Sequence, residues 1–481
     1  MPKIPHHLGV EANGSLETPL PSTQRNSKQM DSMRRRCINK RLKPNPEGQD
    51  FISNLPDFII GLILSLLPTK DAFRTSVLSK RWINLWMFIT AVEIKDKEQL
   101  SRKKIRKIPF YKFVNKVLLH LESSSIQSFS LSLSQSYRHC RVDKWINDIL
   151  INLRVKELYI NSKQNLSISC HTLLESPSLE VLMLNMNWYS ITLPTFVCLS
   201  SLTVLKFSKI TVTCDPFKSQ MLTLNFPVLR EYLTEDCNWS NVKGVTLEVP
   251  LLEVLSIKYS RFPISKESNT VIKFCAPCLA KFYYYGLLLP DTNSLDLSIG
   301  HIAYAHIDIC PFIYMGSAEQ MALIACELLK KFNNNVECLT FQWPEIVAPA
   351  KLPTFRMLSC LELGYLTGVV LLNFLRNTPF LKTLVILKGI YQFDEELSNP
   401  DNVPSCFMSN LQVVNFGALN GKKHELRLAK FIMDNAKELQ RVSFSAARNM
   451  HRSKFEKVKK KIISFKKSVS VAVIDFLPLH N

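Results

Sequence analysis

Apolar positions in this chain follow two rhythms, one crowded and one repeating. The crowded stretch is FISNLPDFIIGLILSLLPTKDAFRTSVLSKRWINLWMFI, residues 51–89, with Leu55, Phe58, Ile59, Ile60, Leu62, Ile63, Leu64, Leu66 and Leu67 inside thirteen positions. Pro56 suits the first turn of a helix, where its missing N–H costs nothing, and Pro68 ends that helix. Thr69 is placed to cap a second helix, with Asp71 in its first turn, and Ser79 to cap a third. On the third, Trp82, Leu85 and Trp86 share a face at i, i+3, i+4. The first helix is apolar nearly all round, so one packing partner cannot cover it. A segment of roughly 40 residues cannot bury that much surface alone. Either the downstream chain or a second protein has to cover it.

From about residue 126 the rhythm changes to a proline, one residue, then Leu-x-x-apolar-x-apolar. It reads Pro177-Ser178-Leu179-Glu180-Val181-Leu182-Met183-Leu184, then Pro250-Leu251-Leu252-Glu253-Val254-Leu255-Ser256-Ile257, then Pro379-Phe380-Leu381-Lys382-Thr383-Leu384-Val385-Ile386. Weaker copies begin at Leu202, Leu229, Leu279, Leu358, Leu411 and Leu439, and the runs at 336–341 and 305–309 read as further strands. Leading leucines at 179, 202, 229, 252 and 279 are 23, 27, 23 and 27 apart; those at 358, 381, 411 and 439 are 23, 30 and 28 apart. A period in the twenties with Leu-x-x-Leu-x-Leu is the mark of leucine-rich repeats, and Leu179 to Asn187 meets the full form ending in Asn. No single unit can bury the inward side of its strand, so stacked units must share a core beneath a parallel sheet. The other side of the strands is then a surface for gripping a partner. Glu180, Met183, Glu253, Ser256, Lys382 and Val385 are the residues interleaved on it.

The end of the chain has its own pattern. A helix is predicted over His424–Glu438, with Leu428, Phe431, Ile432 and Leu439 on one side, between strands at 411–416 and 441–444. A basic helix over Lys454–Lys467 follows, with Phe455, Val458, Ile462 and Phe465 as its apolar residues, and a strand over Ser470–Phe476 closes the unit.

Charge changes the picture less than its total suggests. The net charge is +20, made of +4 in residues 1–50, +2 in 51–90, +6 in 91–120, +1 in 121–445 and +7 in 446–481. A nearly neutral middle argues against a continuous phosphate-binding groove, so nucleic acid is an unfavoured partner. The cluster of Arg34, Arg35, Arg36, Lys40, Arg41 and Lys43 fits either a nuclear-import address or a solubilising flank. The Lys454–Lys467 helix fits a solvated face, or contact with RNA or an acidic partner. The opening MPKIPHHLGVEANG lacks a secretory pattern, and no apolar run nears the ~18 residues of a membrane span. Thirteen irregularly placed cysteines read as reduced thiols of an intracellular protein, nuclear or cytoplasmic.

Candidate chemistry is sparse. Cys275 and Cys278 have metal-like spacing but no second pair, where a structural zinc wants four ligands, and they read as core thiols. Cys170-His171 is an isolated pair, and His6 and His7 stand in the polar head. No Gly-rich phosphate loop, Gly-x-Ser-x-Gly or His-Glu-x-x-His occurs. No catalytic residue, metal or cofactor is expected.

The order LPDFIIGLILSLLPTKDAFRTSVLSKRWINLW closely resembles an F-box of the plant type, with its Leu-Pro-Asp opening, Leu-Pro-Thr-Lys-Asp centre and Ser-Lys-Arg-Trp. The segment from Val403 to Ser445 resembles the FBD domain that ends many F-box proteins with leucine-rich repeats. These resemblances imply an α/β protein: a three-helix F-box, an irregular solenoid with a parallel sheet and outer helices or loops, then an FBD unit. The boundaries are a disordered basic head at 1–49, F-box 50–95, linker and helix 96–125, repeats 126–400 and FBD 401–476. They further imply a non-catalytic substrate receptor of an SCF-type ubiquitin ligase, docked on a Skp-type adaptor and through it on cullin and RING subunits, with an unidentified target on the repeats. Leu55, Pro56, Ile63, Leu64 and Pro68 would touch the adaptor, and Val77, Leu78, Trp82 and Trp86 would be shared between that contact and internal packing. The alternative is a nucleic-acid-associated or general protein-binding scaffold using the basic tails.

Overall fold

The computed structural model describes residues 51–52, 54–96, 110–121, 126–135, 137–163, 173, 176–215, 217, 220–260, 270–286, 295–310, 318–342, 352–448, 450–465 and 473–477. The chain divides into two compact units, Met1–Pro56 and Asp57–Asn481. In the first, the described residues include a turn in which the Leu55 N–H donates to the Ile52 carbonyl over 3.2 Å.

The second unit opens with α-helices Asp57–Ser65 and Thr69–Arg74. A 3-10 turn, Thr75–Val77, follows the second helix, and the expected third helix is two more such turns, Arg81–Ile83 and Leu85–Phe88. A three-residue period sets Leu85 over Phe88 and Trp86 over Ile89, which suits a segment that must bury the neighbours Leu85 and Trp86 together. Neither expected cap forms. Thr69 starts its helix, and its hydroxyl accepts the Glu93 N–H at 2.7 Å instead, tying this helix to the first strand. No side-chain cap stands before the 3-10 turn at Arg81, so Ser79 does not act as one.

That strand, Ala91–Lys95, is the edge of a sixteen-stranded sheet in which every pairing is parallel and the main path follows chain order to Val473–Leu477. The predicted strands all lie in it. Leu182 is in register with Leu205, Leu205 with Tyr232, Tyr232 with Leu255 and Leu255 with Phe282. All five are buried, so the second leucine position of each unit forms one continuous apolar row. The recurring proline has a clear role. The N–H of Leu229, Leu252, Leu279 and Leu381 donates to the carbonyl of Phe226, Val249, Ala276 and Thr378, over 3.1–3.3 Å. Each is a β-turn with proline at its second position, where φ is already fixed, and each delivers the leading leucine into the core.

Two features exceed the sequence reading. The sheet starts at Ala91–Lys95, ahead of the repeats expected from 126, and Ser128–Leu133 and Glu157–Ser162 are its next strands, before the first leucine copy at Leu179. And from Phe196 to Ile299 the outer layer is a second, five-stranded parallel sheet rather than helices or loops: Phe196–Cys198, Met221–Asn225, Gly244–Glu248, Val271–Ala276 and Leu295–Ile299. The two sheets meet where the Tyr232 and Phe274 rings lie 5.8 Å apart. Beyond residue 299 helices take over the outer layer: Phe332, just past the helix Ala318–Lys330, packs on Phe282 at 4.8 Å, and Phe374 of Gly368–Arg376 packs on Phe341 at 5.3 Å.

The C-terminal unit alternates strand and helix as expected, with shifted ends: helix Lys423–Asn435 between strands Val413–Leu419 and Arg441–Ala446, then helix Arg452–Ser464 and strand Val473–Leu477. The first helix stops before Leu439, which instead leads the next strand and is buried there. Glu425 anchors that helix's start, its carboxylate accepting the N–H groups of Asn420 and Lys422, each at 3.0 Å. No helix among the described residues is long and apolar enough to cross a membrane.

Candidate functional site

The helix Asp57–Ser65 has two apolar faces, and among the described residues of its unit only one finds a partner. Ile60, Gly61 and Leu64 are buried. Gly61 permits the approach: a Cβ there would stand 2.5 Å from the Phe88 Cβ. Behind these turns, Phe73 packs edge-on against Trp86 at 5.2 Å and against Phe113 of the helix Phe110–His120 at 6.1 Å. So the downstream chain covers one side. On the other, Phe58, Leu62 and Leu66 follow at i, i+4, i+8 and are all exposed, as are Ile63 and Ile83. Val77 and Leu78, on the 3-10 turn after the second helix, are 87% and 65% exposed. Such large side chains left in water mark a docking surface. Arg81 fastens the third segment to the start of the first helix, two of its guanidinium nitrogens donating to Asp57 Oδ1 at 3.0 and 2.6 Å.

Of the residues expected to touch an adaptor, Ile63, Pro68, Val77 and Leu78 are exposed and Trp82 is half-buried. Leu64, expected at the adaptor, is 1% exposed, and Trp86, expected to be shared between that contact and internal packing, is 3% exposed and packs on Phe73. Phe58, Leu62 and Leu66, not among the expected residues, share the exposed face, and their four-residue spacing is visible in the sequence. Leu55 and Pro56, in the first unit, are half-buried and exposed. The basic cluster Arg34, Arg35, Arg36, Lys40, Arg41 and Lys43, the pair Cys170-His171, and His6 and His7 lie outside the described residues.

The sheet's outward side is the second candidate surface. Met183, Ser256 and Val385 fall on one row across the strands and are half-buried. Glu180 and Glu253, one turn earlier, pair with Lys156 and Arg230 of neighbouring units. Asn187, at positive φ, donates from its side chain to the Lys163 carbonyl of the preceding unit at 3.0 Å. Cys278 is exposed rather than in the core, because it is the third residue of a proline turn; Cys275 is half-buried. No group of three potential metal ligands occurs among the described residues. The basic helix buries Phe455, Val458 and Ile462, and Lys459 lies over the Phe476 ring at 5.1 Å.

The molecule is thus a parallel repeat sheet headed by a helical unit with an exposed apolar face. Residues 52–87 match the F-box domain family and residues 399–444 the FBD family. An F-box/LRR-repeat protein of Arabidopsis thaliana is 30% identical over 291 residues, 58% of this chain and 85% of the relative. An F-box/FBD/LRR-repeat protein of the same plant is 26% identical over 418 residues, covering 82% of this chain and 92% of the relative. An FBD-associated F-box protein, also from Arabidopsis thaliana, is 26% identical over 413 residues, covering 81% and 91%. The chain belongs to the F-box/LRR-repeat family, in the form that carries a C-terminal FBD domain.

Proposed function

We infer that this protein is a non-catalytic substrate receptor of an SCF-type ubiquitin ligase. The observation that carries the reading is the uncovered apolar face of the F-box: Phe58, Leu62, Ile63, Leu66, Val77 and Leu78 stay in water although the chain covers the opposite side of the same helix. Burying that face on a Skp-type adaptor removes the cost of its exposure. Leu55, Pro56, Pro68 and Trp82 join the contact on the strength of the family resemblance. Cullin and RING subunits follow through the adaptor, and the outward side of the sheet holds the target. Catalysis in such an assembly is by proximity, a target lysine being held near the charged ubiquitin carrier.

The test is co-elution of the full chain with purified Skp-type adaptors on size exclusion. A stable complex supports the reading. Free migration of both proteins across a panel of adaptors sinks it.

A further inference from the structure

Midway along the outward row stands an aromatic cluster that docking on an adaptor leaves unused. Tyr283 and Tyr285 lie on the strand Lys281–Gly286; Tyr304, His306 and Asp308 lie on Ile302–Ile309. Tyr283 is in register with His306, and Tyr285 with Asp308. The next two strands add Thr340 opposite His306, and Glu362 opposite Thr340. The rings of Tyr285, Tyr283 and Tyr304 surround that of His306, at 5.0, 6.3 and 6.3 Å.

A chain of hydrogen bonds fixes the protons. The Thr340 hydroxyl donates to the Glu362 carboxylate at 2.7 Å, since a carboxylate only accepts. With its one hydrogen committed, Thr340 Oγ1 must accept from the Tyr304 hydroxyl at 2.9 Å. Tyr304 Oη therefore accepts from His306 Nδ1–H, 3.2 Å away. Burial holds the His306 pKa below its ordinary value, so the ring is neutral at pH 7 and Nε2 is a bare acceptor. His306 is 7% exposed, and its buried Nε2 has no hydrogen-bond partner among the described residues. An unsatisfied buried acceptor is a cost that a site tolerates when a ligand brings the donor.

Charge asks for the same visitor. Asp308 and Glu362 are half-buried, and among the described residues neither takes part in an ion pair. Of the nearby cations, Lys258 is held by Glu235 at 2.9 Å, and Lys281 and Lys388 are exposed. The cluster thus offers tyrosine faces, two carboxylates and an empty acceptor. A guanidinium answers all three, with a flat cationic face for the rings and several N–H donors in a rigid fork.

We propose that the Tyr283–His306–Glu362 cluster grips an arginine side chain of the protein that this receptor recruits. The proposal rests on the substrate-receptor reading for its purpose, not for its geometry. The probe is the peptide acetyl-Gly-Ser-Arg-Ser-Gly-amide, with a citrulline analogue that keeps the shape but loses the charge. Saturation-transfer NMR on the full chain reads which probe protons touch the protein. The arginine δ-protons are expected to saturate at least about fivefold more than those of citrulline. The double variant Asp308→Asn/Glu362→Gln removes that advantage, while Gln still accepts the Thr340 hydrogen bond and preserves the cluster. No arginine signal, equal signals for both probes, or an undiminished signal in the variant overturns the proposal. Adaptor co-elution of the same samples separates the two readings: adaptor binding without arginine selectivity removes only the arginine site. Arginine selectivity without adaptor binding removes the ligase role.

Discussion

Val77 and Leu78 allow the docking surface to be tested without touching the fold. Val77→Ala removes two carbon groups and Leu78→Ala three, each group contributing about 0.8 kcal/mol when fully buried. Weighted by the 87% and 65% of each residue that faces water in the free chain, the pair accounts for about 3 kcal/mol of contact, or roughly 150-fold in affinity. Because both side chains are solvated before binding, the variant should melt within about 0.5 kcal/mol of the parent protein. Leu64→Ala is the contrasting change: that side chain is 1% exposed, so the loss falls on stability, by about 2–5 kcal/mol. Calorimetric titration with the adaptor, beside thermal unfolding of each chain, separates the two effects. Binding by the Val77→Ala/Leu78→Ala chain within about threefold of the parent would refute the placement of the contact.

Three further outcomes follow from other parts of the molecule. Gly61→Ala drives a methyl group to 2.5 Å from Phe88 Cβ and 2.9 Å from its carbonyl oxygen. It should destabilise the chain by about 1–3 kcal/mol, and an unchanged melting temperature would contradict the close approach. His306 has a folded-state pKa below the ordinary 6.5, through burial first, with Lys388 assisting and Asp308 and Glu362 opposing. A lowered pKa adds stability above the unfolded value that is lost as pH falls through the folded one, so denaturant midpoints should drop below about pH 6.5. The His306→Gln chain should lose that part of the slope; an identical pH profile would argue against a neutral buried ring. Burial, the leading cause, pushes the thiols of Cys360 and Cys406 up to about 12, while Cys140 and Cys198 are exposed. Iodoacetamide at pH 8 should label Cys140 and Cys198 before Cys360 and Cys406 by peptide mass spectrometry, and early labelling of Cys360 would contradict its raised thiol.

Much of this architecture was legible because the repeat writes the same physics many times. Leading leucines, the proline before them and the alternation after them all serve one turn and one core row, so Leu179, Leu252 and Leu381 could be read directly. The second sheet was legible too, in principle. Apolar residues sit five, three and one positions ahead of the proline in Leu222-Thr223-Leu224-Asn225-Phe226-Pro227 and in Val245-Thr246-Leu247-Glu248-Val249-Pro250. Strands of three to six residues between turns give too few alternations to stand out. Local rules failed where tertiary contacts outweighed them. Thr69 serves Glu93 rather than its own helix, and two bulky neighbours, Leu85 and Trp86, enter the core together and tighten the third helix to 3-10. The tyrosine–histidine cluster had no local signature, since its members come from four strands spread over 283–362 and meet only through register.

Hydrogen–deuterium exchange of the full chain, alone and with a bound Skp-type adaptor, tests the central claim most directly. Adaptor binding should slow exchange in 57–66 and 75–83, where the uncovered apolar face lies, and leave the strands at 281–309 unchanged. Protection confined to the sheet, or none anywhere, would contradict the assignment of that face as the adaptor contact.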